Sequence, residues 1–160
     1  PVALPPLDLT DAGDSIIELS LNGQQWTTDC KHFSFVGDPE LSGCDPAVGV
    51  LEGDFPIKVL AQHVADTGVL KARFTKLPAV VEEGEAPTLP TGDDVIAIEV
   101  DATFCESADG VDVTAPVFED VTEPFDVVVQ LSNDGQIYGP SLALFKFEAS
   151  AGKGKGGKKK

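Results

Sequence analysis

The stretch Ile17-Glu18-Leu19-Ser20-Leu21-Asn22-Gly23-Gln24-Gln25-Trp26 recurs without a gap 112 residues later as Val129-Gln130-Leu131-Ser132-Asn133-Asp134-Gly135-Gln136-Ile137-Tyr138. A self-match at one fixed offset is the signature of a repeated structural unit. The flanks keep the offset: Ala3, Asp8, Thr10, Asp14, Phe33 and Phe35 fall on Ala115, Asp120, Thr122, Asp126, Phe145 and Phe147. Ten of the first 36 residues are identical to their counterparts, where average composition gives about two. Each copy reads as the same piece of structure. An alternating strand leads into a Gly-centred hairpin turn, an aromatic residue marks its exit, and a final strand carries two Phe on one face.

Working outward, the same two-residue period recurs between the copies. Phe55, Ile57, Val59 and Ala61 alternate with Pro56, Lys58, Leu60 and Gln62, and Leu70, Ala72 and Phe74 with Lys71 and Arg73. Ile96, Ile98 and Val100 alternate with Ala97 and Glu99, and Val127, Val129 and Leu131 with Val128, Gln130 and Ser132. Period two means a strand with one buried face. No segment carries a helical period, and breakers such as Gly37-Asp38-Pro39, Gly53-Asp54, Asp109-Gly110 and Asn133-Asp134-Gly135 punctuate the runs at sandwich-like spacings. The expectation is an all-β protein, with Pro78 to Asp94 an excursion at one end, too long for a tight hairpin.

The offset also gives a domain map. Residues 1–36 read as the C-terminal strands of a preceding immunoglobulin-like repeat, 37–149 as one complete repeat, and 150–160 as a flexible Gly/Lys-rich basic tail or linker. A unit of about 110 residues with some seven short strands has the size of an immunoglobulin-like antiparallel β-sandwich. The chain has no Met, and we expect it to be a piece of a longer polypeptide.

Within that class the residues resemble the IPT/TIG domain. Asp38-Pro39-Glu40-Leu41-Ser42 followed by Pro46-Ala47-Val48-Gly49 looks like its opening strand and turn. Phe55-Pro56-Ile57-Lys58-Val59 and Gly68-Val69-Leu70-Lys71-Ala72-Arg73-Phe74 look like its next strands, and Val127 to Gln136, closing with Phe145-Lys146-Phe147, looks like its terminal hairpin. The closing hairpin is also similar to that of filamin-type immunoglobulin repeats, the second choice. The chain departs from the family in having Glu52-Gly53-Asp54 where a Gly-Gly is usual, and in the length of the Pro78–Asp94 segment. Members of the family serve in receptor ectodomains, in Rel-like transcription factors, beside catalytic domains of starch-processing enzymes and in large cytoskeletal or ciliary proteins. The resemblance therefore implies a fold and not one activity.

Composition narrows the roles. The formal net charge is −16, and because the last ten residues hold five Lys and no acid, residues 1–150 carry −21. A body that acidic repels nucleic acid and anionic lipid. No run reaches the roughly 18 apolar residues of a membrane span, so no membrane insertion is expected. Pro1 to Leu9 lacks the basic start and apolar middle of a signal peptide. Cys30, Cys44 and Cys105 are odd in number, and neither Asn22 nor Asn133 starts a glycosylation sequon. Both facts point to the cytoplasm and to free thiols. A Cys44–Cys105 bridge would belong to an extracellular alternative.

Catalysis finds no motif. His32 and His63 are the only imidazoles, and no HExxH, CxxC, GxSxG or Walker pattern accompanies them. Cys30 and His32 fall on Leu142 and Leu144 of the second copy, so a zinc site does not recur. The acids Glu82-Glu83-Glu85, Asp93-Asp94 and Glu106 to Asp112 follow no calcium-loop pattern and read as solvated charge. Trp26 and Tyr138 share a repeat position and read as packing residues. We therefore expect no enzyme and no cofactor. The expected role is a structural, protein-interaction module of a large repeat-containing scaffold, cytoskeletal or ciliary (axonemal), that contacts other chains of an assembly. Lys153, Lys155, Lys158, Lys159 and Lys160 are the candidate polyanion contacts, for instance with the acidic tails of tubulin. The alternative is an extracellular binding or accessory domain of a receptor or carbohydrate-active enzyme.

Overall fold

A computed structural model describes residues 13–78, 86–92, 95–105, 110–119 and 121–149. Among them there is no helix, and ten strands carry the fold. Strands β1 (Gly13–Ile17) and β2 (Lys31–Phe35) form a two-stranded antiparallel sheet of their own. The others are β3 (Glu40–Asp45), β4 (Val48–Val50), β5 (Pro56–Gln62), β6 (Lys71–Lys76) and β7 (Ala97–Phe104), then β8 (Gly110–Thr114), β9 (Phe125–Ser132) and β10 (Ala143–Glu148). They make one eight-stranded sheet in the order β3-β5-β8-β7-β6-β9-β10-β4. The all-β class expected from the periodicity is the class observed.

The layering differs from two separate antiparallel sheets in two respects. Strand β7 changes partner along its length: Ala97–Asp101 pairs with β6, while Ala102, Thr103 and Phe104 pair with β8. The sheet is thereby continuous and curls until β10 comes beside β3. The second difference is a parallel pair, β4 on β10, from Lys146↔Val48 to Glu148↔Val50. The β3–β5 ladder ends at Asp45, just ahead of Pro46, which has no N–H to donate. Beyond it the chain crosses to the other margin. The Lys146 N–H donates to the Ala47 carbonyl at 3.1 Å, and the Leu51 N–H to the Glu148 carbonyl at 2.9 Å.

The core follows the alternation. Ile57, Val59 and Ala61 of β5 are buried, as are Ala72 and Phe74 of β6 and Val111 and Val113 of β8. Phe118, Phe125, Phe145 and Phe147 close one end, the Phe125 and Phe147 rings stacked at 4.9 Å with an interplanar angle of 13°. Strand β9, which pairs with β6 and with β10, breaks the half-buried pattern: it is buried along its whole length. Val128 and Gln130, expected to face outward, are covered. Ile96, expected to face the core, is exposed and lies just ahead of β7, its carbonyl accepting the Lys76 N–H. Of the Pro78–Asp94 excursion, the described residues 86–92 carry no regular structure.

Candidate interaction surface

The sequence match between the two hairpins extends to their hydrogen bonds. Strands β1 and β2 pair from Gly13↔Phe35 to Ile17↔Lys31, and β9 and β10 pair from Phe125↔Phe147 to Val129↔Ala143. Every one of these five pairs maps onto its counterpart at the offset of 112. The turns match as well. Thr27 N–H donates to the Leu19 carbonyl at 2.9 Å, and Gly139 N–H to the Leu131 carbonyl at 3.2 Å. Gly23 and Gly135 both sit at φ +71°. Asn22 Oδ1 accepts the N–H groups of Gln24 and Gln25, and Asp134 Oδ1 accepts those of Gln136 and Ile137. Ser20 Oγ donates to Asn22, and Ser132 Oγ to Asp134. The Phe33 and Phe35 rings meet edge-on at 4.9 Å, the Phe145 and Phe147 rings at 5.0 Å.

What differs is the cover. Leu131 is 1% exposed and Leu19 69%; Phe145 is fully buried and Phe33 is 47% exposed. Ile16 and Ile17 lie open where Val128 and Val129 are sealed. Val129, Leu131 and Phe145 belong to the hydrophobic core, and their hairpin is flanked by β6, which pairs with β9 from Lys71↔Ser132 to Lys76↔Val127, and by β4 on the far edge of β10. Neither β1 nor β2 has such a neighbour among the described residues. An apolar face on a two-stranded sheet that continues into no further ladder among the described residues is a surface made to be paired.

The outer side of the covered hairpin carries a polar clamp. Arg73 of β6, opposite Gln130, lays its guanidinium 3.7 Å from the centre of the Tyr138 ring. It also donates from Nη2 and Nε to Glu99 Oε1 at 2.7 and 3.2 Å. The hydrogen bond from Arg73 holds the Glu99 carboxyl below the usual carboxylate range, whereas burial, with the Glu99 charge behind it, pushes the Tyr138 hydroxyl up. Gln130 Nε2 donates to the Gly139 carbonyl at 2.9 Å beneath that ring. Tyr138 is therefore a packing residue, as the shared repeat position suggested. Its counterpart Trp26 has the same place in the hairpin and is 59% exposed.

The turn carboxylate gives a pH test. The backbone hydrogen bonds from Ile137 and Gln136 lower the Asp134 pKa from the ordinary 3.8. A lowered native pKa adds stability that is fully present above the unfolded value and lost as pH falls through the native one. Asn22 in the other turn does not titrate. Asp134→Asn is thus expected to keep the turn while flattening the acid limb of the unfolding curve; an unchanged acid limb would count against this.

The remaining candidates from the sequence are scattered. Among the described residues no group of three or more His, Cys, Asp or Glu could hold a metal ion. His32 and His63 are both exposed. The five tail lysines, Glu82, Glu83, Glu85, Asp93, Asp94 and the Glu106–Asp109 acids lie outside the described residues. No disulfide joins the cysteines: Cys30 is exposed, Cys44 buried and Cys105 in between, with Lys58 Nζ 3.5 Å from its Sγ. Burial pushes the Cys44 thiol up to about 12, so its reactive thiolate is scarce at neutral pH. Alkylation of the native chain is expected to label Cys30 first and Cys44 only as the domain opens. Mass spectrometry that found Cys44 labelled as fast as Cys30 would contradict this.

Asn133, the one polar departure from Leu21 of the first hairpin, ties the junction between the two sheets. Its Nδ2 donates to the carbonyls of Gly37 and His63 at 3.1 and 3.0 Å, and its Oδ1 accepts the Ala65 N–H. No helix among the described residues is long and apolar enough to cross a membrane. No protein-family model matches this chain, and no curated protein matches it either.

Proposed function

We propose that this chain is a non-catalytic structural and protein-interaction module of a large, repeat-containing scaffold of the cytoskeletal or ciliary kind, built from tandem IPT/TIG-like sandwich units. The observation that carries the reading is the pair of hairpins: one register and one turn occur twice, once sealed in a core and once open. Residues 1–36 then close a preceding unit, and residues 37–149 form the next. An odd number of cysteines, none of them in a disulfide, and the lack of a sequon support a cytoplasmic setting. The basic tail supports an acidic partner surface, which the body at −21 does not attract by itself.

The test separates the two contacts by salt. Screening acts within about 10 Å at 0.1 M salt, so tail-driven binding to microtubules should fade between low and moderate ionic strength, while a strand-edge contact persists. In co-sedimentation, deleting Gly152–Lys160 is expected to lower the bound fraction at low salt and to change nothing at moderate salt. If the deletion has no effect at low salt, the tail is a spacer and the cytoskeletal assignment loses its support.

A further inference from the structure

We infer that the open edge of β1 receives an antiparallel strand from a preceding unit of the same polypeptide, in the register of β6 on β9, and that this strand carries a cation opposite Glu18 that stacks on Trp26. The inference rests on the reading of residues 1–36 as closing strands and adds the chemistry of what covers them. The covered hairpin supplies the template. On β9 the residue opposite Gln130 is Arg73, whose guanidinium lies on the Tyr138 ring. Moved back by 112, Gln130 becomes Glu18 and Tyr138 becomes Trp26.

Both exchanges favour a cation more strongly than the residues they replace. Glu18 offers a carboxylate where the second copy offers only an amide, and an indole attracts a cation more strongly than a phenol ring does. The opposite face sets the rest of the strand. Ile17 and Leu19 take the places of Val129 and Leu131, which lie opposite Phe74 and Ala72. The incoming strand therefore alternates apolar residues inward with polar ones outward. Gly13 and Ser15 stand where Phe125 and Val127 fill the second core, so the partner unit brings larger side chains at that end.

Trp26 is the sole tryptophan and reports the docking directly. The experiment adds a second copy of residues 37–112 immediately ahead of Pro1 of the full chain. Residue 112 then precedes residue 1 as it precedes residue 113 in the second unit, and no new Trp enters. The expected result is a several-fold fall in acrylamide quenching of Trp26 with a blue-shifted emission. Arg73→Gln in the added copy is expected to reverse that protection, and Arg73→Lys to retain it. A parallel version carrying Gly13→Phe and Ser15→Val allows for the smaller residues of the first hairpin.

Protection in either version that responds to the added Arg73 in this way supports the inference. Protection that ignores Arg73→Gln overturns the cation, and leaves the closing-strand reading standing. If Trp26 stays as quenchable as in the 160-residue chain in both versions, the reading and the inference fall together. If Trp26 of the unextended chain is already protected, in step with self-association in sedimentation, a second copy is the occupant and the inference is overturned.

Discussion

Phe145→Ala is expected to cost about 3–5 kcal/mol of folding stability, whereas Phe33→Ala, at the same register position of the other hairpin, is expected to cost under about 0.5 kcal/mol. The two side chains have the same chemistry and the same edge-on Phe neighbour two residues on. They differ in what lies above them. Phe145 is fully buried, with Phe147 at 5.0 Å and Phe55 at 6.2 Å between ring centres. Truncating it removes transferred surface and leaves a cavity lined by rigid neighbours. Phe33 is 47% exposed, and water takes the place of the ring without leaving a void. Urea unfolding read at its midpoint measures both, with an unchanged slope as the sign that only stability moved. Two small losses would mean that β9 and β10 lie outside the core. Two large losses would mean that the first hairpin is already covered in solution. In the chain extended by residues 37–112, the Phe33→Ala loss is expected to rise toward that of Phe145→Ala.

The contrast between the hairpins also shows what was legible in the residues. Period two in residues 55–61 and 70–74 marks β5 and β6 with the correct inward faces, because each has one face on the core. The repeat offset marks both closing hairpins as equivalent, and the structure gives them one register, since a Gly at φ +71° flanked by an Asn or Asp acceptor fixes the turn, and the turn fixes the register. Strand β9 departs from the expectation at Val128 and Gln130, because alternation records a strand with one buried face and β9 is buried on both. The sheet change within β7 leaves no mark on its alternation, since both partners take the same period. The parallel β4–β10 pair was hidden for a similar reason: Pro46 signals a break, not the direction the chain takes after it. The candidate surface could be found as a repeat but not as a surface. Ile17, Leu19 and Phe33 are as apolar as the residues they match, and only the fold shows that they are left exposed.

The glycines of the two turns extend this to the backbone. Gly23 and Gly135 share φ +71°, so alanine at either carries the left-handed cost of roughly 1–2 kcal/mol. A Cβ on Gly23 would meet nothing within 4 Å, whereas one on Gly135 would lie 2.8 Å from the Val69 carbonyl oxygen. That oxygen belongs to the backbone leading into β6, and it cannot swing aside as a side chain would. Gly135→Ala is expected to add an overpacking cost of about 1–3 kcal/mol and to lower the global unfolding midpoint. Gly23→Ala is expected to weaken only the exchange protection of the β1–β2 amides, leaving the midpoint in place, because β1 and β2 share no ladder with the eight-stranded sheet. Equal shifts of the midpoint would contradict the difference in cover between the turns. With residues 37–112 set ahead of Pro1, a Val69 carbonyl is expected to reach the first turn also, so the cost of Gly23→Ala should climb to that of Gly135→Ala. A cost that stayed low would mean that the incoming unit does not approach this turn as β6 approaches the other.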